Sequence, residues 1–219
     1  MRNKFFVGNA VCMSPFFLIA DHYAKTSTYE RNGYSHPYEV SIAIAAFCFL
    51  LGGVTALYFF LRSYHLSIFA ALSSISLLAF STNLKYYTLF EPALSHVYSF
   101  GVIAFFLWSF RKYSVNQKPF FLFLLSILLG LITILRPVNL LVLIIIPFLY
   151  PNFAAFKRDF FALFHKNNLL KTSFSVCLFL IPISIQILNV RQQYGVWRFS
   201  GYTEAGFDNF LSPEIINVL

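Results

Sequence analysis

The stretch from Phe120 to Tyr150, FFLFLLSILLGLITILRPVNLLVLIIIPFLY, decides the fold class of this chain. Two apolar runs flank Arg136-Pro137-Val138-Asn139, and Arg136 is the one charged side chain in the stretch. Proline removes a backbone donor and disfavours helix in the residue before it, so the chain either makes a tight helical hairpin at a membrane surface or breaks inside one long helix. We favour the hairpin, because an arginine at mid-membrane costs about 2.5–3.5 kcal/mol on insertion scales.

The rest of the chain has the same character. Hydrophobic residues make up 58% and charged residues 11%, with a mean hydropathy of +0.70, whereas soluble proteins average roughly half apolar and a quarter charged. Because an apolar helix needs about 20 residues to cross a core of about 30 Å, the 219 residues predict one all-α transmembrane domain over 1–219, a bundle of six or seven spans. The apolar runs lie near 5–20 (a span or partial span), 40–61, 66–82, 95–110, 120–135, 138–150 and 172–188.

The charges indicate two different sides, since cytoplasmic loops near span ends are enriched in Lys and Arg. With the N-terminus inside, the inner loops carry Arg2, Lys4, Arg62, Arg111, Lys112, Lys118, Lys157, Arg158, Lys166 and Lys171, but only one acid, Asp159. The outer loops, about 21–39 and 83–94, the tail 189–219 and the turn at Arg136 together carry the other six basic and seven acidic residues. Contact with anionic lipid therefore explains the net charge of +8, and the pattern excludes a nucleic-acid partner.

The densest group of outer polar residues lies within 85–98. Pro92 suits the first turn of a helix, which would place Glu91 at the cap and Ser95 and His96 in the following turns. A carboxylate at a helix N-terminus is favoured by the helix dipole, so a structural and a catalytic role for Glu91 both stay open. An ionisable side chain at the end of an apolar helix usually faces a cavity or a partner, so His96 is either a site residue or a satisfied structural histidine.

Arg136 is the second candidate, with Asn139 three residues beyond it. Its side chain either snorkels to the interface or clamps a phosphate, because the guanidinium is a planar fork that stays charged. The aromatic residues of the first outer loop, Tyr38 among them, either stack on sugar rings or belong to a wet interfacial loop. The three cysteines lack the spacing of a metal site, so no metal ligands are predicted.

Two motifs carry a resemblance to a known family. The stretch YTLFEPALSHVYSF (87–100) and the stretch GLITILRPVNLL (130–141) resemble bacterial polytopic proteins of the GT-C superfamily, mannosyltransferase-like enzymes that use polyprenyl-phosphate sugars. SPFFLIADHYA, NGYSHPYE, TNLKYY and YTEAGFDNFLSP are similar to segments of that family in the same order. A shared fold does not by itself establish a shared reaction.

The resemblance implies a membrane glycosyltransferase that moves a sugar from a polyprenyl phosphate to a glycan, lipid or protein acceptor on the outer face of the bacterial cytoplasmic (inner) membrane. Such an enzyme needs a base for the acceptor hydroxyl and cationic groups for the leaving phosphate. Glu91 and His96 are the candidates for the base, and Lys85 and Arg136 for the phosphate. Asn139 and Tyr38 complete the predicted substrate-binding set. The donor is a substrate, no resident cofactor is expected, and a divalent metal is not indicated.

Relatives of this kind continue on both sides of the matching region, so we expect a fragment or a short member of the family. Their main catalytic acid would then precede Met1, and sugar transfer would be lost. The rival hypothesis is a non-catalytic membrane protein that binds lipid-linked sugars, or a flippase or transporter. Transporters often contain inverted repeats and helices broken at mid-membrane. The absence of a repeat and the position of the charges at one face argue against transport.

Overall fold

The computed structural model of the chain describes residues 5–201, and this part is entirely helical. The α-helices are α1 (Gly8–Thr26), α2 (His36–Arg62), α3 (Ile68–Ser81), α4 (Leu84–Leu89), α5 (Ser95–Asn116), α6 (Pro119–Leu135), α7 (Val142–Ile145), α8 (Phe153–Ala162) and α9 (Leu169–Tyr194). Short 3-10 turns lie at Pro137–Leu141, Ile146–Leu149 and Lys166–Asn168. The predicted all-α fold is confirmed over the described residues.

The body of the bundle consists of α2, α5, α6 and α9, packed side by side in that order. Helices α2 and α5 run parallel, because Phe49 contacts Tyr98 with ring centroids 5.1 Å apart and, further along both helices, Arg111 Nη2 donates to the Ser63 carbonyl at 3.2 Å. Helix α6 returns along α5, and α9 is again parallel to α6. Parallel neighbours need a long connection, which the intervening helices provide.

Two ends of this bundle are named by a residue that each contains. The His96 end holds the start of α5 and the end of α6, and the Gln117 end holds the turn between these helices. Glycines allow the helices to approach closely between the two ends: a Cβ at Gly101 would lie 2.8 Å from the Phe49 carbonyl oxygen, and one at Gly130 would lie 2.7 Å from that of Phe179. Small residues at such contacts are typical of membrane helices, where backbone packing replaces the hydrophobic effect.

The chain reverses at Arg136, as the hairpin interpretation predicts. Arg136 is extended (φ −157°, ψ 116°) ahead of Pro137, the conformation that a following proline favours. The Pro137–Leu149 segment then runs back to the Gln117 end, where the Tyr64 hydroxyl donates to the Leu149 carbonyl at 3.0 Å. A single long helix interrupted at Arg136 is therefore wrong.

The first apolar run, which the sequence predicts to be a span or partial span, forms most of α1. Helix α1 begins at the His96 end, where Gly8 packs on the backbone of Ile134 and Leu135, and it continues away from the bundle along the first turns of α2. Its far part meets α2 through Asp21 and Tyr38. The run from 5 to 20 thus does not connect the two ends, because tight packing of Gly8 holds its start beside the end of α6. Residues 1–4, which the charge pattern places inside, lie outside the described residues.

Membrane association is supported by the helices themselves. Helix α2 and the stretch Lys166–Tyr194 are long and apolar enough to cross a bilayer. A third candidate is formed if Pro137–Leu149 and Phe153–Ala162, which are bent by 115° at their junction, count as one span. Helices α3 and α6 are apolar but shorter, with 14 and 17 residues. Large apolar side chains are exposed on these elements, for example Phe69, Phe80 and Leu170.

Candidate functional site

A cavity of about 690 Å³ opens at the His96 end. The start of α1, the loop before α5 and the turn at Arg136 surround it, which explains why three distant sequence regions share one site. Its volume falls within the range of about 300–1,000 Å³ that is usual for small-molecule sites. The lining includes Asn9, Ala93, Ser95, His96, Arg136 and Asn189.

Arg136 and His96 form the charged part of this cavity. Nη1 of Arg136 lies 3.4 Å from Nδ1 of His96, and the two residues come from the end of α6 and the start of α5. Because a guanidinium only donates, the contact is a hydrogen bond when Nδ1 is unprotonated and Nε2 carries the ring proton. The pair then offers N–H donors to a ligand, and Arg136 remains exposed to receive it.

His96 also borders a second, more open cavity of about 450 Å³ between α3 and α5. Tyr87 stacks on the imidazole, with ring centroids 3.9 Å apart and ring planes 14° apart, and fixes its orientation. Most of this second lining is apolar, including Leu78, Leu84 and Phe100. His96 therefore stands between a cavity that contains the Arg136 guanidinium and an apolar groove. This arrangement suits a ligand with a charged head and a hydrocarbon chain.

The predicted helix cap at Glu91 is wrong. Helix α5 begins at Ser95 with Leu94 as its cap residue, and 91–94 is a turn closed by the Leu94 N–H donating to the Glu91 carbonyl at 3.0 Å. The Tyr98 hydroxyl donates to the Pro92 carbonyl at 2.9 Å and keeps this proline ahead of the helix. The Glu91 side chain is exposed and is not part of the cavity lining.

The other predicted site residues do not line this cavity. Asn139 donates through Nδ2 to the Ser99 hydroxyl at 2.9 Å, which ties the Pro137–Leu149 segment to α5 and leaves Asn139 outside the lining. Lys85 lies exposed on α4, also outside it. Tyr38 is 1% exposed and donates to Asp21 Oδ1 at 2.7 Å. A buried phenol cannot stack on a sugar, so a substrate-binding role for Tyr38 is corrected to a structural one.

Two polar residues at the His96 end were not predicted from the sequence. The Asn9 amide nitrogen donates to the Ala93 carbonyl, while its Oδ1 is buried and has no hydrogen-bond partner among the described residues. Gln186 is 1% exposed; its Oε1 accepts from the Val7 N–H at 2.8 Å, and its Nε2 donates to the Phe199 carbonyl at 2.9 Å. Gln186 could have been identified from the sequence, because it is a glutamine inside the apolar run 172–188 and buried polar groups in membrane helices need partners.

The connection between α1 and α2 forms a network with the helix ends that flank it, and the predicted loop 21–39 is thus shorter than expected. Arg31 Nη2 lies 2.6 Å from Asp21 Oδ2, and hydrogen bonds from Arg31 and then Tyr38 hold the pKa of the Asp21 carboxyl below its usual value. Asn32 Oδ1 accepts from the backbone N–H groups of Tyr34 and Ser35 at 2.8 and 2.9 Å, and Gly33 has a φ of +79°. The Asn-Gly pair thus makes a tight turn, the conformation such pairs favour.

Within residues 5–201, no group of three or more His, Cys, Asp or Glu side chains is placed to hold a metal ion. Comparison of the chain with protein-family models, with curated proteins and with solved structures gives no match. The GT-C resemblance therefore remains an interpretation of the sequence motifs.

Proposed function

We propose that this chain is a GT-C-type membrane glycosyltransferase, or part of one, that takes a sugar from a polyprenyl phosphate at the His96 end. The observation that carries the proposal is the Arg136–His96 pair, which lines one cavity and stands beside an apolar groove that His96 also borders. Polyprenyl-phosphate sugars have the matching chemistry: a charged head with a sugar on one side and a long hydrocarbon chain on the other. The sequence motifs around 87–100 and 130–141 favour the same family.

The proposal includes a membrane arrangement. Six segments, α2, α3, α5, α6, Pro137–Leu149 and α9, run between the two ends in alternating directions, and we assign all six to the bilayer. The 17 residues of α6 correspond to about 25 Å at 1.5 Å per residue, close to the hydrocarbon thickness of about 30 Å. The Gln117 end, with eight of the basic residues in 5–201 and Asp159 as its one acid there, would face the cytoplasm.

Phosphate recognition would use the donors of the charged pair. The guanidinium can give two parallel hydrogen bonds to phosphate oxygens, and Nε2–H of His96 can give a third. A phosphate would draw Arg136 away from His96, because an ionic hydrogen bond is stronger than its 3.4 Å contact with a neutral imidazole. That shift frees Nδ1 of His96 as an acceptor. The same ligand would thereby prepare the base that the reaction needs.

Sugar transfer would then proceed as follows. The bond between the anomeric carbon and the phosphate oxygen breaks with its electron pair on the phosphate, which Arg136 stabilises. The acceptor hydroxyl oxygen forms the new bond to that carbon, and its proton passes to Nδ1 of His96. The products are the glycosylated acceptor and the free polyprenyl phosphate.

A second candidate function follows from the lining itself. Among the residues of 5–201 that surround the cavity, none carries a carboxylate. If the reaction requires a carboxylate as its base instead of His96, this chain would bind the lipid-linked sugar and not transfer it. Glu91 belongs to the loop that supplies Ala93 to the lining, so it stays a predicted acid at the rim of the site.

Binding and transfer are tested separately. Radiolabelled polyprenyl phosphate is titrated onto the protein in lipid nanodiscs, and we expect Arg136→Ala to weaken the Kd about 10-fold or more, since hydrogen bonds to charged groups contribute about 1.5–3 kcal/mol. Lys85→Ala is the matched control, because it removes a cation of the same end that does not line the cavity. Equal affinity of the two variants would contradict the proposed site.

Transfer is measured with polyprenyl-phosphate mannose as the donor probe, by release of the labelled sugar to acceptor lipids or glycans. His96→Ala should abolish most of the transfer, whereas His36→Ala, at a histidine in contact with Tyr29, should leave it unchanged. Tight binding of the lipid phosphate with no transfer by the unmodified protein would favour the non-catalytic function.

A further inference from the structure

The Gln117 end contains a cavity that the proposed reaction does not use. It measures about 390 Å³ and lies between α5, α6, the Pro137–Leu149 segment and α8. Its wall is almost wholly apolar and includes Phe106, Leu122, Leu125, Leu129, Ile146 and Phe156. Leu143 and Phe160, which also line it, remain 41% and 45% exposed. The cavity therefore opens to the outer surface of the bundle, where lipid would be.

A smaller, polar cavity adjoins the apolar one. It measures about 220 Å³ and shares Tyr113, Leu122 and Leu163 with its neighbour. Its other lining residues include Gln117, Asn168 and Lys171. Lys171 Nζ lies 3.5 Å from Asn168 Oδ1, a long contact that leaves the ammonium available to an anion. An apolar chamber thus leads directly to a cationic one.

Helix α8 covers the apolar cavity and lies across the direction of the preceding segment. The 115° bend turns it away from Pro137–Leu149, and it carries Lys157 and Arg158 together with exposed Phe161. Basic and aromatic residues on one short helix are typical of a helix in the membrane interface. That position would place the mouth of the polar cavity at the level of lipid headgroups.

The charge around the two cavities favours an anion. The acid in their lining, Asp159, is already compensated, because Oδ1 accepts from Arg158 Nε at 2.9 Å and Oδ2 accepts from Gln117 Nε2 at 3.5 Å. The nearby basic residues Lys118, Lys166 and Lys171 face no other acid of this end within 5–201. Basic pockets between helices on the cytoplasmic side are the sites where membrane proteins bind anionic headgroups.

We propose that these adjoining cavities form a binding site for an anionic phospholipid, with one acyl chain in the apolar cavity and the phosphate headgroup beside Lys171 in the polar one. The site is separate from the Arg136–His96 cavity, which lies at the opposite end of the bundle. It does not depend on the proposed sugar transfer.

The test uses a photoactivatable phosphatidylglycerol with its reactive group on an acyl chain, in phosphatidylcholine nanodiscs that contain the full chain. We expect labelling on α6 and α8, suppressed by unlabelled phosphatidylglycerol and not by added phosphatidylcholine. Ser126→Phe fills the apolar cavity and should lower this labelling about tenfold, which corresponds to about 1.4 kcal/mol. Ser74→Phe is the matched control, since both serines donate to the carbonyl four residues earlier but Ser74 is exposed on α3.

A second pair of variants tests the headgroup. Lys171→Gln should reduce the preference for phosphatidylglycerol over phosphatidylcholine, and Lys112→Gln, a cation of the same end outside both linings, should not. If Ser126→Phe fails to fold, competition on the unmodified protein decides. Equal competition by the two phospholipids, or stronger competition by polyprenyl phosphate, would overturn the proposal.

Discussion

The two ends of the bundle handle charge in different ways. Within 5–201, the His96 end and the helices beyond it carry six basic and four acidic residues, while the Gln117 end carries eight basic residues and Asp159. At the His96 end the polar groups pair with one another through specific contacts, such as Arg136 with His96 and Arg31 with Asp21. At the Gln117 end Asp159 is the one acid within 5–201, so most of the eight cations lack an acidic partner, and all of them except Arg111 are exposed.

This difference is consistent with the two sites proposed above. Paired and oriented donors around a cavity select a ligand by geometry, which is the requirement of a site that performs chemistry. Exposed cations that outnumber the nearby acids attract anionic lipid at an interface without much geometric selection. The same bundle can therefore combine a specific site on one face with a lipid anchor on the other.

The prediction with the largest expected effect concerns which end of the bundle faces the cytoplasm. The result is all or none, because a fused reporter lies on one side of the membrane or on the other. A reporter fused after Lys118 should report the cytoplasm, and one fused after Leu89 should report the outside, because the excess of basic residues lies at the Gln117 end. Activity of a periplasmic and a cytoplasmic reporter measures both fusions. The opposite result would reverse the two ends and remove the outer site.

The packing of the His96 end depends on one buried side chain. Gln186→Leu leaves the Val7 N–H and the Phe199 carbonyl without their partners, and each such loss typically costs about 1–3 kcal/mol. We expect a clear fall in thermal stability in detergent, together with faster hydrogen exchange near residues 5–9 and 195–201. Gln192→Leu, at an exposed position of the same helix, serves as the control. Equal melting of both variants would show that Gln186 does not hold this end together.

Two helix ends that share a left-handed backbone conformation should respond to substitution with stability changes of opposite sign. Both changes are expected to be smaller than that of Gln186→Leu. Helix α9 closes at Gly195 with φ +76°, and α5 closes at Gln117 with φ +51°. Glycine adopts this left-handed conformation without the penalty that a side chain imposes. Gly195→Ala should lower the stability and Gln117→Gly should raise it, each by about 1 kcal/mol. Thermal unfolding of both variants checks the signs, and a destabilised Gln117→Gly would mean that the glutamine side chain matters more than its backbone.

The smallest expected effect concerns pH at the connection between α1 and α2. The pKa of Asp21 is lowered in the folded protein by Arg31 and then Tyr38, so its contribution is present above the unfolded pKa of about 3.9 and is lost as pH falls through the lower folded value. Limited proteolysis of residues 27–35 should therefore accelerate below about pH 4. In Asp21→Asn this acid-dependent step should be absent, and its persistence would assign the pH effect to another group.

Much of the architecture was predictable from the sequence, because hydropathy is a local property. The runs 40–61, 66–82, 95–110 and 120–135 all became helices near those bounds, and the proline after Arg136 forced the reversal. The first run also became a helix, but its position in the bundle was not predictable. Its hydropathy resembles that of a span, but the neighbour it packs on, the backbone at Ile134, is more than a hundred residues away.

The candidate site was likewise predictable from the sequence only in part. His96 and Arg136 were predictable because an ionisable residue in an apolar setting is conspicuous, and the fold brings them together. Glu91, Asn139, Lys85 and Tyr38 were equally conspicuous, yet none lines the cavity. Asn9 and Asn189 line it, but their relation to α5 exists only in three dimensions.

The sequence by itself determined a helical membrane-associated protein with one strongly basic side, since composition and loop charge act wherever the chain lies in a bilayer. Only the tertiary structure decided which polar groups meet, that α1 leaves the bundle at the His96 end, and that two cavities adjoin at the Gln117 end. The physical reason is the separation along the chain over which each property acts. Burial preference is set residue by residue. A hydrogen bond such as that between Gln186 and Val7 requires two atoms from distant parts of the sequence to lie within about 3 Å of each other.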